Sequence, residues 1–247
     1  MKKIVAVLII GILFSAVLYA EKSKVDKISE VALNNIFYVN HDCFRIEYKG
    51  KVIYTDPLNL PDNSKKADII LITHQHQDHL QLESINKISD AKTVIYAPIT
   101  AEYEIKEKTA AKIKRVKPGD SITVSGISLE VTAAYNLKPE RIGFHPKKEG
   151  FTGYLITING VKIYFAGDTD KIPEMKKIKC DIALLPVSGT YVMDADEAAE
   201  AAALLNPKIV IPMHYGVIVG SENDAVKLKE LLENKKIKTV IKDREVK

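Results

Sequence analysis

Two cysteines in 247 residues are too few for a disulfide framework. Cys43 lies inside an apolar strand pattern and Cys180 just before another, in different halves of the chain, so both are read as buried free thiols rather than a bridge. A strong charge of either sign is also missing. The formal net charge is +4, and it falls to about +2 once Lys2 and Lys3 are set aside. The basic stretch at residues 106–117 has no interleaved aromatics for stacking on bases, and Glu104 and Glu107 interrupt it, so it reads as a solvated face. Nucleic acid is therefore not expected as a partner. No residue-level repeat is visible. What remains, with 46% hydrophobic residues, is an ordinary globular composition with enough length for a buried core.

One long apolar run does occur, Ile4–Val17, behind the basic Met1-Lys2-Lys3 and before Tyr19-Ala20. This is the grammar of a secretory signal, so residues 1–20 are expected to be cleaved and residues 21–247 to form the mature domain. As a helix the run would reach about 25 Å, short of the roughly 30 Å hydrocarbon core, which makes an uncleaved membrane anchor the second reading. Either way the expectation is an exported protein, periplasmic or secreted.

The chain is organised around residues 67–80, ADIILITHQHQDHL. Ile69-Ile70-Leu71-Ile72 is too short to span a membrane and rich in β-branched residues, as in a strand buried on both faces. His74, His76, Asp78 and His79 follow at its end, where a rigid strand can aim several side chains at one point. Three histidines packed beside a carboxylate would cost several kcal/mol to desolvate unless something binds them.

Around this motif the pattern is meander, helices, meander, helices. Residues 32–33, 36–39, 43–48 and 51–54 read as strands ending at Asp56-Pro57. Asp56 is either an Asx-type turn or the acceptor for a ligand histidine. Helices are expected from just beyond His79, through Leu82, Ile85 and Ile88, and from Thr100 to Ala111, with a strand at Val94–Ala97 between them. Strands at 122–124 and 127–133 precede a polar loop at 135–150. Asn159-Gly160 then joins strands 154–158 and 161–166 as a tight hairpin ending in Gly167-Asp168. A strand at 181–187, a helix opened by the capping box Asp194/Glu197, a strand at 209–213 leading to His214, a helix near 224–234 capped by Ser221 or Asn223, and a strand at 239–241 complete the order. Two facing sheets with helices outside accommodate this plan.

His145, Asp168 and His214 also lie near predicted strand ends. If these ends converge, His74, His76, Asp78, His79, His145, Asp168 and His214 surround one cavity, and seven ligands exceed what one ion takes. Two divalent ions sharing a carboxylate are expected, with Zn2+ favoured and Mn2+ or Fe2+ also compatible.

The HQHQDH run, Gly167-Asp168-Thr169 and the late His214 resemble the metallo-β-lactamase superfamily, over almost all of residues 21–247. Thr55-Asp56-Pro57, Phe144-His145-Pro146, Tyr191-Val192-Met193-Asp194 and Ile211-Pro212-Met213-His214 further resemble its branch containing L-ascorbate-6-phosphate lactonase. The resemblance implies an α/β fold, a four-layer αββα sandwich, with His74, His76 and His145 on one ion, Asp78, His79 and His214 on the other, and Asp168 between them. True lactamases of the superfamily often carry cysteine where Asp168 stands, and flavodiiron oxidoreductases carry glutamate at the position of His76. Neither chemistry is therefore expected. His41 matches a histidine of the family, though Asn40 and Asp42 depart from the glycine and small residue usual around it.

Two ions about 3.5 to 4 Å apart can bring the pKa of a shared water toward roughly 7 and supply hydroxide. The expected enzyme is a hydrolase of a small ester, lactone or phosphodiester, with Asp78 orienting the nucleophile. The sequence identifies no leaving-group acid: Tyr135, Tyr191 and Tyr215 lie near predicted strand ends and read first as packing or rim residues. His41 and Tyr191 are candidates to support a ligand or contact substrate, and Arg141, Lys147 and Lys148 either steer an anion or are plain surface. The alternative is a non-catalytic metal- or ligand-binding protein on the same fold; a nuclease is a further alternative that the small net charge disfavours.

Overall fold

The computed structural model describes residues 21–235 and 237–246; the signal segment expected at residues 1–20 lies outside them. Among the described residues thirteen strands form two mixed sheets. The first runs β1 (Ile36–Asn40), β2 (Cys43–Tyr48), β3 (Lys51–Thr55), β4 (Ile69–Leu71), β5 (Val94–Ala97) and β6 (Lys112–Arg115), side by side in chain order. The second runs from β7 (Ser121–Val124) through β8 (Ile127–Ala133), β9 (Thr152–Ile158), β10 (Val161–Phe165), β11 (Ile182–Pro186) and β12 (Ile209–Met213) to β13 (Lys238–Thr239). Each sheet opens as an antiparallel meander and continues with parallel strands. The parallel strands need crossovers, and four of these are α1 (Leu82–Ile88), α2 (Ile99–Ile105), α3 (Ala195–Leu205) and α4 (Glu222–Glu233), while β3–β4 is joined by a loop and β10–β11 by a stretch with one 3-10 turn, Pro173–Lys177. This is the expected αββα sandwich.

The period of two sorts the strand residues into layers. Ile69 and Leu71 of β4 face the core between the sheets, with Phe44, Ile53, Leu129, Ile156, Phe165 and Leu184. Ile70 and Ile72 point the other way, against Ile85 and Ile88 of α1 and Ala101 and Ile105 of α2. A strand buried on both faces reads as an unbroken apolar run, which is why β4 was legible.

Near the site the sheets are also joined by polar contacts. Tyr154 on β9 donates its hydroxyl to the carbonyl of Ile72 at 2.7 Å, and the Thr152 amide donates to the carbonyl of Thr73 at 3.0 Å. These bonds lock the start of β9 to the end of β4.

Turn chemistry follows the sequence. Asn159 and Gly160 take φ of 50° and 73°, the left-handed pair that a two-residue hairpin turn needs. Asp194 and Glu197 close a capping box at α3, and Ser221 with Asp224 does the same at α4. Three expectations fail. Residues 32–33 belong to a π turn, Val31–Asn35, because Val31 and Ala32 continue the buried face of the helical residues 21–30. The helix expected to reach Ala111 stops at Ile105, and the basic stretch forms β6 instead. There Ile113 alone turns inward while Lys112, Lys114 and Arg115 stay exposed; such charges blunt an edge strand against further pairing. Cys43 is a buried free thiol as expected, whereas free Cys180 is only half-buried.

Candidate metal centre

The site assembles at the carboxyl ends of the parallel strands, where open α/β sheets place their ligands. Asp56 follows β3, and Thr73 to His79 follow β4. Asp168 follows β10, Ser188 follows β11, and His214 follows β12. The β1–β2 turn supplies His41 and Asp42, and the loop after β8 supplies His145. The backbone is forced at several of these positions: His41, Asp56, Tyr191 and His214 have φ of 43°, 34°, 67° and 59°. Such conformations are unfavourable for residues with a side chain and persist only when the surroundings over-determine them.

All seven expected ligands come together. His74, His79, His145, Asp168 and His214 are buried, while His76 and Asp78 are half-buried and face solvent. His74, His76 and His145 present nitrogens within 4.8 Å of one another, and Asp78, His79 and His214 group in the same way with His41. Asp168 connects the two groups. Its Oδ2 lies 3.4 Å from His79 Nε2, 3.2 Å from His145 Nε2 and 3.2 Å from His214 Nε2.

The far sides of three rings, His74, His79 and His214, are anchored. Asp56 Oδ2 accepts from Thr73 Oγ1 at 2.7 Å, so the Thr73 oxygen is left to accept from His74 Nδ1 at 2.8 Å. Asp56 Oδ2 also accepts from His79 Nδ1 at 2.9 Å, and its Oδ1 accepts from the Thr73 amide at 2.8 Å. Ser188 Oγ donates to the Thr190 carbonyl and lies 3.0 Å from His214 Nδ1, whose proton it can accept. Each bond puts the ring proton on Nδ1 and leaves Nε2 with a lone pair for an ion. Nε2 of His79, His145 and His214 and Oδ1 of Asp168 are buried without a hydrogen-bond partner. Orphaned donors of this kind, three imidazoles around one carboxylate, fit divalent ions.

Charge is distributed accordingly. Burial opposes ionisation of Asp168, yet His214, His79 and His145 outweigh it and hold the carboxyl well below its usual range. Burial likewise disfavours charge on His79 and His214, but Asp168 overrides it and raises both. Burial lowers His74, and it takes His145 to about 4. Ions entering the centre must displace protons from His79 and His214, so acid weakens binding.

Asp56 is not an Asx turn, since its bonds reach 17 and 23 residues along the chain. Replacing it with alanine removes the acceptor that orients His79, and metal affinity is expected to fall about 10- to 100-fold. A chelator-competition titration checks this, and an unchanged affinity would refute the role.

His41 is fully buried with Nε2 3.3 Å from Asp78 Oδ2, and its ring packs on His214 at 4.2 Å. Tyr191 and Phe144 meet edge-on at 4.5 Å on the rim of a cavity of about 250 Å³, which His76, Asp78, His145 and Asp168 complete. A larger cavity, about 520 Å³ between Ile172 and Leu204, holds no cluster of ligating side chains. Two of the tyrosine candidates are directed elsewhere: Tyr135 donates to Glu174, and Tyr215 is buried against Tyr38. Arg141 is neither surface nor a steering charge, because it is buried between Asp170 and Glu197. Lys147 pairs with Glu174, and Lys148 is exposed. The sequence reading missed Thr73, Ser188 and Asn136, whose Nδ2 is 3.1 Å from His145 Nδ1. It named Asp42 only as a departure from the family. A carboxylate directly after His41, between two apolar strands, was the available signal.

Residues 35–214 match the family model described as a beta-lactamase superfamily domain. A metal-dependent hydrolase of Thermoplasma acidophilum is 35% identical over 195 residues, 73% of this chain and 82% of that protein. Among solved structures, a metal-dependent hydrolase of Parabacteroides distasonis superposes with a TM-score of 0.76 at 36% identity, covering 86% of this chain and 93% of the other. A metallo hydrolase of Ignicoccus hospitalis does so at 0.70 with 25% identity, covering 86% and 95%.

Proposed function

Because the chain belongs to the beta-lactamase superfamily and is a metal-dependent hydrolase, we propose that it holds two divalent ions, Zn2+ foremost, and cleaves a small ester or lactone. One observation carries the two-ion reading: a single Asp168 oxygen lies within 3.4 Å of an imidazole nitrogen from each of the two ligand groups. His74, His76 and His145 would hold one ion and Asp78, His79 and His214 the other, with Asp168 shared. Bound there, the ions would polarise the scissile carbonyl and make hydroxide available near neutral pH.

The chain's own groups supply position and proton handling. Asp78 reaches the cavity with its Oδ2 3.6 Å from His79 Nε2. Burial opposes its charge, but the hydrogen bond from His41 and the nearby His79 outweigh this and hold it ionised. It can orient an attacking water and accept its proton, with the His41 N–H holding the carboxylate in place. Phe144 and Tyr191 cover one side of the cavity, and its lining includes no lysine or arginine. That lining favours a neutral substrate with an apolar group over a phosphodiester, and Tyr191 is the tyrosine within reach of it.

The test is turnover of a panel of lactones, carboxylic esters and phosphodiesters by purified protein. Lactones or esters bearing an apolar substituent are expected to be cleaved, with His76→Ala lowering the rate about 10²-fold as one ion is lost. Turnover indifferent to chelation or to His76→Ala would refute the proposal.

A further inference from the structure

Asp42 has no task in the scheme above, and its surroundings give it none within the protein. Its side chain is completely buried, and neither carboxylate oxygen has a hydrogen-bond partner. His79 Nδ1 is 3.6 Å away, but that proton already goes to Asp56 at 2.9 Å. A protonated Asp42 would be no better served, since the same two oxygens would then include a hydroxyl without an acceptor. A buried carboxyl left in this way is costly in either form, which points to a partner of another kind.

The position of Asp42 names that partner. Single ligand atoms of Asp42, His79, Asp168 and His214 all lie within 4.8 Å of one another. Donors to one ion sit about 2.0 to 2.2 Å from it, so any two are at most about 4.4 Å apart, and small rotations close the set. We propose that Asp42 is a further carboxylate ligand at the second ion's site, grouped with Asp168, His79 and His214. This rests on the two-ion reading and deepens it. Two imidazoles with Asp42 and Asp168, and Asp78 grouped separately with the same imidazoles, make this site richer in oxygen than the first, which suits an oxygen-preferring ion such as Mn2+ or Fe2+. The first site, with three imidazoles and Asp168, remains suited to zinc. The centre is then a mixed one.

Titration of the metal-free full-length protein with Mn2+, followed by the electron paramagnetic resonance of the free ion, tests the assignment. Wild type is expected to take up two Mn2+ per chain, and Asp42→Asn to keep one while the other weakens at least tenfold. The metal-free Asp42→Asn and Asp42→Ser proteins are expected to melt no lower than metal-free wild type, because no protein contact is lost. Equal Mn2+ affinity in wild type and Asp42→Asn would overturn the role of Asp42 while leaving the two-ion reading intact. So would a lower melting point in both variants, which would mean that Asp42 stabilises the fold itself. A wild type that binds no Mn2+ would also overturn the assignment, and one that takes up neither Mn2+ nor Zn2+ would remove the two-ion reading with it.

Discussion

Replacing Asp168 with alanine is expected to empty both ion positions at once and to lower turnover about 10³-fold, the several kcal/mol that the ions contribute to the barrier. The expectation differs in kind from His76→Ala, which should cost one ion. His76 belongs to one ligand group, whereas Asp168 Oδ2 is shared by His79, His145 and His214. Without that carboxylate the burial of His79 is offset only by Asp56 and that of His214 only by Asp42, so both imidazoles lose the raised affinity for protons that Asp168 gives them. The metal-free variant should therefore keep its fold while those rings take up protons less readily than in wild type. Elemental analysis of the purified variant decides the matter. Retention of two ions would show that Asp168 does not join the sites.

The second large effect lies in a residue that touches no substrate. Arg141 Nε bonds Asp170 Oδ1 at 2.5 Å and its Nη2 bonds Glu197 Oε2 at 2.5 Å, with the Arg141 and Asp170 side chains almost wholly buried. Asp170 also accepts the amides of Leu137 and Lys138, and the Arg141 carbonyl accepts from Asn136, the neighbour of His145. Arg141 thus latches the loop that carries His145 onto the start of α3. Truncation to alanine leaves two carboxylates with little access to water, and a loss of about 3 to 5 kcal/mol of stability is expected. Urea unfolding measures it. The same variant should bind its first ion more weakly, since His145 loses its support; a change below 1 kcal/mol would mean that the latch contributes little.

Different parts of this molecule were legible in the sequence to different degrees, for physical reasons. His74, His76, Asp78 and His79 could be read because one strand end holds them all, and Asp168 and His214 because each directly follows an apolar strand. The hairpin at Asn159-Gly160 and the caps at Asp194 and Ser221 are local chemistry and were equally visible. Thr73, Asn136 and Ser188 were not, because hydroxyl and amide side chains take on a role only through the ring they happen to meet in space. Arg141 looked like surface because its two carboxylate partners lie 29 and 56 residues away. The strand β6 was hidden by its own lysines, which belong to an exposed edge rather than to a helix face.

The division of the chain between the sheets sets the order in which the protein matures. Every strand of the first sheet lies before residue 116 and every strand of the second after residue 120. Neither ligand group can be completed by one of them: His145, Asp168 and His214 come from the second sheet, and the remaining ligands from the first. An ion is therefore captured only after the two sheets have docked, so metal uptake reports the completion of folding and comes as its last event.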